Sequence, residues 1–113
     1  MIAQALIHNY GKEATMRMML RFTVPVEKGN DGVNNGSIGR TVKSLLQELK
    51  PEAAYFLTDG GERSGMMFFD MADPAQIPQI AEQLFQNLDA AVEFVPVMNS
   101  DDLRRGLEQV STP

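Results

Sequence analysis

Alternating hydrophobic and polar positions predict four β-strands in this chain. Residues 16–24 alternate with a period of two, so that one side of the strand is apolar and the other carries Arg17 and Arg21. Three further short runs, rich in apolar and aromatic residues, predict strands at 53–58, 63–71 and 90–98. An Asp-Gly-Gly-Glu sequence between the second and third runs has the glycines that a tight hairpin needs. Pro96 predicts a sheet edge or a bulge, because proline cannot donate to a central ladder.

Apolar residues spaced three and four apart predict a helix after the first strand. The stripe runs from Ile38 to Leu49. Ser37 is placed to cap the N-terminus of this helix, and Pro51 stops it. The preceding segment 27–36, with the sequence EKGNDGVNNG, is rich in Gly, Asn and Asp, which favour turns. The sequence therefore predicts a mobile loop between the first strand and the helix.

Two more helices are predicted in the second half of the chain. Asp73, Pro74 and Gln76 have the order of an N-cap, a first-turn proline and a capping-box partner, ahead of an apolar stripe that ends at Leu88. Pro78 lacks a backbone donor and crowds the preceding turn, so we expect a kink or a 3₁₀ start there. The last helix is predicted at 100–110, and its apolar stripe consists of Leu103, Leu107 and Val110.

The order of these elements predicts an α+β fold. It is β-α-β-β-α-β followed by a short C-terminal helix, the order of the ferredoxin-like split βαβ arrangement, in which two helices cover one face of a four-stranded antiparallel sheet. The 113 residues suffice for one domain. We assign residues 16–113 to that domain and residues 1–15 to an N-terminal arm, which could be an extension, an extra strand or a tail.

The strand at 63–71 predicts that both faces of the sheet are covered. Met66 and Phe68 point to one side, and Met67, Phe69 and Met71 to the other, so neither side of the strand is polar. Strands of this kind are buried on both faces. Two helices cover only one face, and an uncovered apolar sheet would exceed the patch size that monomers tolerate. The sequence therefore predicts a homodimer that packs through the second sheet face.

The chain resembles the dimeric α+β barrel superfamily. The segment FFDMADPAQIPQIAEQLFQNLDAAVEFVPV, residues 68–97, is most similar to the strand, acidic turn, helix and strand of muconolactone-isomerase-like chains. The resemblance extends over about residues 16–98 and concerns architecture, not catalytic motifs. It implies that two sheets pack face to face, and that a small ligand lies between each sheet and its helices or loops, or inside the barrel.

Composition excludes several classes of function. Ten basic against fifteen acidic residues give a net charge of -5, which disfavours nucleic-acid binding. No apolar run reaches the roughly 20 residues that span a bilayer, so no membrane partner is expected. The absence of cysteine excludes disulfides, iron–sulfur clusters and thiol catalysis, and it suits a cytoplasmic location. The single histidine, His8, lies in the arm, so we expect no metal and no cofactor.

Five residues are candidates for a binding site. Arg17 and Arg21 are predicted to face the space between two sheets, where an unpaired charge would cost several kcal/mol. Asp70 and Glu93, on neighbouring strands, are their expected counterions. The preferred interpretation is a set of structural ion pairs in the dimer interface; the alternatives are a carboxylate clamp and solvent exposure. Tyr55 could offer its hydroxyl to a pocket, although aromatic packing is its more common use.

The sequence leaves three hypotheses for function, because it contains no catalytic motif. The first is a cofactor-free homodimer that binds a small apolar or carboxylate-bearing ligand between sheet and helices. The second is a cofactor-independent isomerase or monooxygenase acting on a small aromatic or lactone-like acid, with Asp70 or Glu93 as base and Arg21 holding the carboxylate. The third is an interaction module whose binding surface is the sheet. Fold resemblance cannot decide between them.

Overall fold

Four strands and four helices make up residues 15–111, the part of the chain that the computed structural model describes. The predicted arm lies outside these residues, except for Thr15. All four predicted strands are present. The elements, in chain order, are β1 (Met16–Val24), α1 (Val26–Asn35), α2 (Ser37–Leu49), β2 (Ala53–Asp59), β3 (Glu62–Met71), α3 (Gln76–Leu88), β4 (Ala91–Pro96) and α4 (Ser100–Ser111).

The strands form one antiparallel sheet in the order β2-β3-β1-β4. Each β-α-β unit is therefore split: β3 lies between β1 and β2, and β1 lies between β3 and β4. Gly60 and Gly61 both have positive φ, +60° and +82°, as a two-residue turn joining β2 to β3 requires. Pro96 ends β4, an edge strand, as predicted. An α+β fold with a four-stranded antiparallel sheet is thus confirmed.

The hydrophobic core lies on one face of the sheet, beneath α2 and α3. Alternate residues of β1 are buried there, as the period-two pattern predicts, and Leu20 has no exposed surface. The helices supply leucines and Ile80 from their predicted apolar stripes. Burying one such side chain contributes about 1.5 to 3 kcal/mol. The core thus fixes which face of the sheet the helices cover.

The predicted mobile loop at 27–36 is wrong, because most of this segment belongs to the helix α1. Its glycines serve close packing. Gly29 and Gly32 are buried, and an added Cβ would come within 2.6 Å of Arg63 Nη1 at the first position and of Ile38 Cγ1 at the second. The backbone N–H of Gly29 donates to the carbonyl of Pro25 at 2.8 Å. Tertiary packing therefore overrides the low helix propensity of Gly and Asn.

The predicted cap of α2 is also wrong. Ser37 is the first helical residue and makes no capping hydrogen bond through its side chain. Its backbone N–H donates instead to Asn35 Oδ1 at 2.8 Å. Gly36 joins α1 to α2 with a φ of +80°, which a residue with a side chain would rarely adopt. The sharp turn between the two helices leaves the last residue of α1 to cap α2.

The capping hydrogen bonds predicted ahead of α3 are present, but the helix itself begins only at Gln76, with Ala75 as its N-cap residue. Asp73 Oδ1 accepts a hydrogen bond from the backbone N–H of Ala75 at 2.9 Å, and Gln76 Oε1 accepts one from the N–H of Asp73 at 3.2 Å. The N–H groups of Gln76 and Ile77 bond to carbonyls three residues back, at 2.9 and 3.0 Å, the spacing of a 3₁₀ turn. Pro78 follows within the first turn, where its missing donor costs little.

The C-terminal helix α4 buries none of its predicted apolar stripe. Leu103, Leu107 and Val110 are exposed, Val110 by 81%. α4 makes only marginal contact with the other described elements. Among residues 15–111, no helix combines the length and the hydrophobicity that crossing a membrane would require.

Candidate functional site

All five predicted site residues lie on the sheet face opposite α2 and α3, which we call the open face. Strand register shows this. Tyr55 is opposite Met66, Met66 is opposite Arg21, and Arg21 is opposite Glu93. Directly opposed residues of antiparallel strands share a face, so one row across the sheet contains three of the predicted residues. Arg17 and Asp70 oppose each other in a second row.

Between these two rows lies an apolar row. Met19 is opposite Phe68 on one side and Val95 on the other. Met66 and Phe68 are half-buried on the open face, whereas Met67, Phe69 and Met71, on the helix side of β3, are buried. Tyr55 is 63% exposed and Val95 37%. The open face is therefore an apolar surface crossed by charged side chains.

The predicted counterions of the arginines are wrong. Arg17 Nε contacts Glu52 Oε1 at 3.0 Å and Arg17 Nη1 contacts Asp102 Oδ2 at 2.5 Å, and Arg21 pairs with Asp59. No salt bridge to Asp70 or Glu93 forms within residues 15–111, although these acids are directly opposite the arginines. An arginine side chain is long enough to reach past its nearest cross-strand neighbour. The acids that pair with the two arginines are Glu52, just before β2, Asp59, at the end of β2, and Asp102, in α4.

Asp102 attaches α4 to the open face. The backbone N–H of Asn99 donates to Asp102 Oδ2 at 3.0 Å, and the guanidinium groups of Arg105 and Arg17 donate to the same carboxylate. These hydrogen bonds, that of Asn99 foremost, hold the pKa of Asp102 below its usual value despite partial desolvation. The hydrogen bond to Glu52, followed by that to Asp102, raises the pKa of Arg17. Arg17 thus links the start of β2 to α4.

Acid is expected to loosen α4. Because the pKa of Asp102 is lower in the folded chain, its stabilising contribution is complete above the unfolded value, about 3.9, and is lost as the pH falls through the folded value. Protonation removes the charge that Asn99, Arg17 and Arg105 bind. An NMR titration should show α4 losing its helical Cα shifts in step with the titration of the Asp102 carboxyl.

Two variants test whether the acid dependence of α4 comes from Asp102. Asp102→Asn should weaken the helical shifts of α4 at neutral pH and remove their acid dependence. Asp101→Asn is the control, because the side chain of Asp101 is 73% exposed and its ion pair within residues 15–111 is a long one, to Arg104 at 4.0 Å. If both variants titrate like the wild type, Asp102 does not anchor α4.

Two of the predicted residues also line a cleft. Arg17, Asp70 and Asp102 lie around a space of about 690 Å³ where the start of β1 approaches α4. Two acids of this cleft outnumber its one arginine, and that arginine is already paired with Asp102 and Glu52. The cleft is therefore a poor receptor for a carboxylate.

An apolar cavity lies on the opposite side of the sheet, between α2 and strands β1 to β3. We call it the helix-side cavity; its volume is about 520 Å³. Its apolar lining consists of Phe22, Val24, Ile38, Val42, Leu46, Phe56 and Leu57. Small-molecule sites are typically concave, mostly apolar and about 300 to 1,000 Å³ in volume. The cavity has the size and lining of such a site.

Two cationic side chains, Lys43 and Arg63, also line the helix-side cavity. Arg63 is opposite Val24, on the side of β3 that otherwise packs under the helices. Asn30 Oδ1 accepts a hydrogen bond from Arg63 Nη2 at 3.1 Å. The sequence-based candidates omit both residues, although the position of Arg63 on the core side of its strand could have revealed it.

Within residues 15–111, no cluster of three or more His, Asp and Glu side chains is arranged to hold a metal ion. No known protein family matches the chain. Neither a curated protein nor a solved structure is similar enough to count as a match. The case for a function therefore depends on the geometry of the open face and of the helix-side cavity.

Proposed function

We propose that this chain is a cytoplasmic, ferredoxin-like protein of the dimeric α+β barrel type, which binds a small apolar molecule in the helix-side cavity. The observation that carries the proposal is the cavity itself, which is open to solvent, almost entirely apolar in its lining and about 520 Å³ in volume. The split order β2-β3-β1-β4 and the helices on one face support the fold assignment. The absence of cysteine supports the location.

We also propose that two copies pack through their open faces. The apolar row of Met19, Phe68 and Val95 crosses the centre of that face, and half-buried Met66 lies beside it. A patch of this kind on a lone subunit would remain in water at a cost of about 25 cal/mol for each Å². A two-fold interface covers the same patch on both copies.

The enzymatic alternative, a cofactor-independent isomerase or monooxygenase, has weaker support. It requires Arg21 to hold a substrate carboxylate, and Arg21 is paired with Asp59. Its candidate bases, Asp70 and Glu93, are both exposed to solvent on the open face. Binding without catalysis is therefore the function that we favour.

Filling the cavity tests the proposed binding. Gly39 lines it, and an added Cβ at this position would meet nothing within 4 Å. Gly39→Trp should therefore fold, since it replaces a helical glycine, and should occupy the space that a ligand needs. We expect its affinity for the neutral fluorescent probe N-phenyl-1-naphthylamine to fall at least about tenfold, a loss of about 1.4 kcal/mol.

Gly106→Trp is the matched control. Gly106 is also a helical glycine whose Cβ would meet nothing within 4 Å, but it lies in α4, away from the cavity. The control should bind the probe as the wild type does. Equal binding by both variants, or no binding by the wild type, would reject the helix-side cavity as a ligand site.

A further inference from the structure

We infer that the molecule bound in the helix-side cavity is a small amphiphilic carboxylate, whose head group binds Arg63 and Lys43 and whose apolar part fills the cavity. This inference rests on the proposed function and adds the class of the ligand and the residues that select it.

Charge is the first argument. No carboxylate of the described residues lies within 4.0 Å of the cationic groups of Arg63 or Lys43. Arg17, Arg21, Arg104 and Arg105 each pair with an acid, whereas Arg40, like Arg63 and Lys43, is exposed and has no acidic partner among the described residues. Arg63 and Lys43 differ from Arg40 in that they border an apolar cavity, where an anionic ligand would meet both of them. A ligand with a negative group would complete the pair.

The packing of α1 is the second argument. Gly29 lets the helix pass so close to Arg63 that an added Cβ would be 2.6 Å from Nη1. The neighbouring Asn30 accepts a hydrogen bond from Nη2 at 3.1 Å through a neutral amide oxygen. The guanidinium, although exposed, therefore has a neutral partner on α1 and keeps its full charge. A guanidinium can bind a carboxylate through two parallel hydrogen bonds.

The lining is the third argument. Beyond the two cations the cavity is walled by aromatic and aliphatic side chains such as Phe22, Val42 and Phe56. A hydrophilic anion such as inorganic phosphate would gain nothing from these walls. An alkyl or aryl carboxylate satisfies both parts of the site, because its tail buries apolar surface while its head remains at the cations.

Displacement of N-phenyl-1-naphthylamine by decanoate and by decanol tests the inference. The two competitors have the same chain length and differ in charge. In the wild type we expect decanoate to displace the probe at a concentration at least about tenfold lower than decanol does. Raising the salt concentration should weaken displacement of the probe by decanoate and leave displacement by decanol unchanged, because salt screens charge. Salt dependence requires no variant and so remains informative if a substitution disturbs folding.

Substitutions test which residues cause the preference for decanoate over decanol. Arg63→Met should remove most of the preference for decanoate over decanol. Arg40→Met is the control, because Arg40 is an exposed arginine of α2 that lies outside the cavity and bonds the carbonyl of Asn35. Lys43→Met should reduce the preference less, since a lysine lacks the paired donors of a guanidinium.

The outcomes separate the two proposals. If both competitors displace the probe equally well in the wild type, the carboxylate inference is overturned while the cavity remains a binding site. The same holds if Arg63→Met keeps the wild-type preference. If the probe does not bind at all, the proposed function is rejected, and the inference is rejected with it.

Discussion

Phe68→Lys is expected to convert a dimer of this protein into a monomer, with a rise of roughly a hundredfold or more in the dissociation constant. Phe68 lies at the centre of the open face, between Ala53 and Met19 on the neighbouring strands. In a two-fold interface the substitution acts twice, and each buried, unpaired ammonium costs several kcal/mol. Sedimentation equilibrium at micromolar concentration measures the change.

The control is Val33→Lys. Val33 is 57% exposed on α1, on the helix side of the sheet, so this substitution adds the same charge away from the open face. Its dissociation constant should match that of the wild type. A wild-type chain that sediments as a monomer would contradict the dimer proposal, and so would a Phe68→Lys variant that associates as tightly as the wild type.

The sheet was predictable because side-chain direction in a strand depends only on local sequence. In β1 the period of two placed Leu20 on the core face and Arg21 on the other, and the structure agrees. Turn and cap chemistry is equally local, which explains why the hairpin at Gly60 and Gly61 and the capping hydrogen bonds of Asp73 and Gln76 were also predicted correctly. Each of these features is decided within a few residues of sequence.

The errors have a different cause, since each depends on residues that are distant in sequence. The glycines of α1 favour a loop by propensity, and only packing against Arg63 and Ile38 makes them suitable for a helix. Arg17 binds Asp102, which is 85 residues away, in place of the opposed Asp70. Sequence alone does not show which distant acid an arginine reaches.

The helix-side cavity was the largest omission. The sequence predicted a ligand between sheet and helices only through resemblance, and it placed the candidate residues on the other face. The cavity is lined by apolar residues of α2 and β2, among them Val42, Leu46 and Phe56. Apolar residues on a helix stripe indicate a packed core equally well. Whether the stripe packs or leaves a space depends on the distance between elements, which sequence does not encode locally.

Leu20→Ala is expected to lower the free energy of unfolding by about 2 to 5 kcal/mol. Leu20 has no exposed surface and lies in β1, the central strand that pairs with both β3 and β4. Its loss combines the transfer energy of the deleted atoms with the cost of a cavity that the surrounding sheet and helices cannot fully close. Since domains of this size are stable by about 5 to 15 kcal/mol, chemical denaturation should detect the change readily.

The neighbouring substitution, Met19→Ala, tests whether the two faces of β1 are buried by different contacts. Met19 is half-buried on the open face, so in an isolated subunit its truncation should cost less than that of Leu20. If the open face is a dimer interface, the cost of Met19→Ala should grow with protein concentration, because the native state then includes the subunit contact. The difference between Leu20→Ala and the wild type should remain nearly the same at every concentration. Equal, concentration-independent losses for both variants would contradict this assignment of the faces, because both residues would then be buried by the subunit's own core.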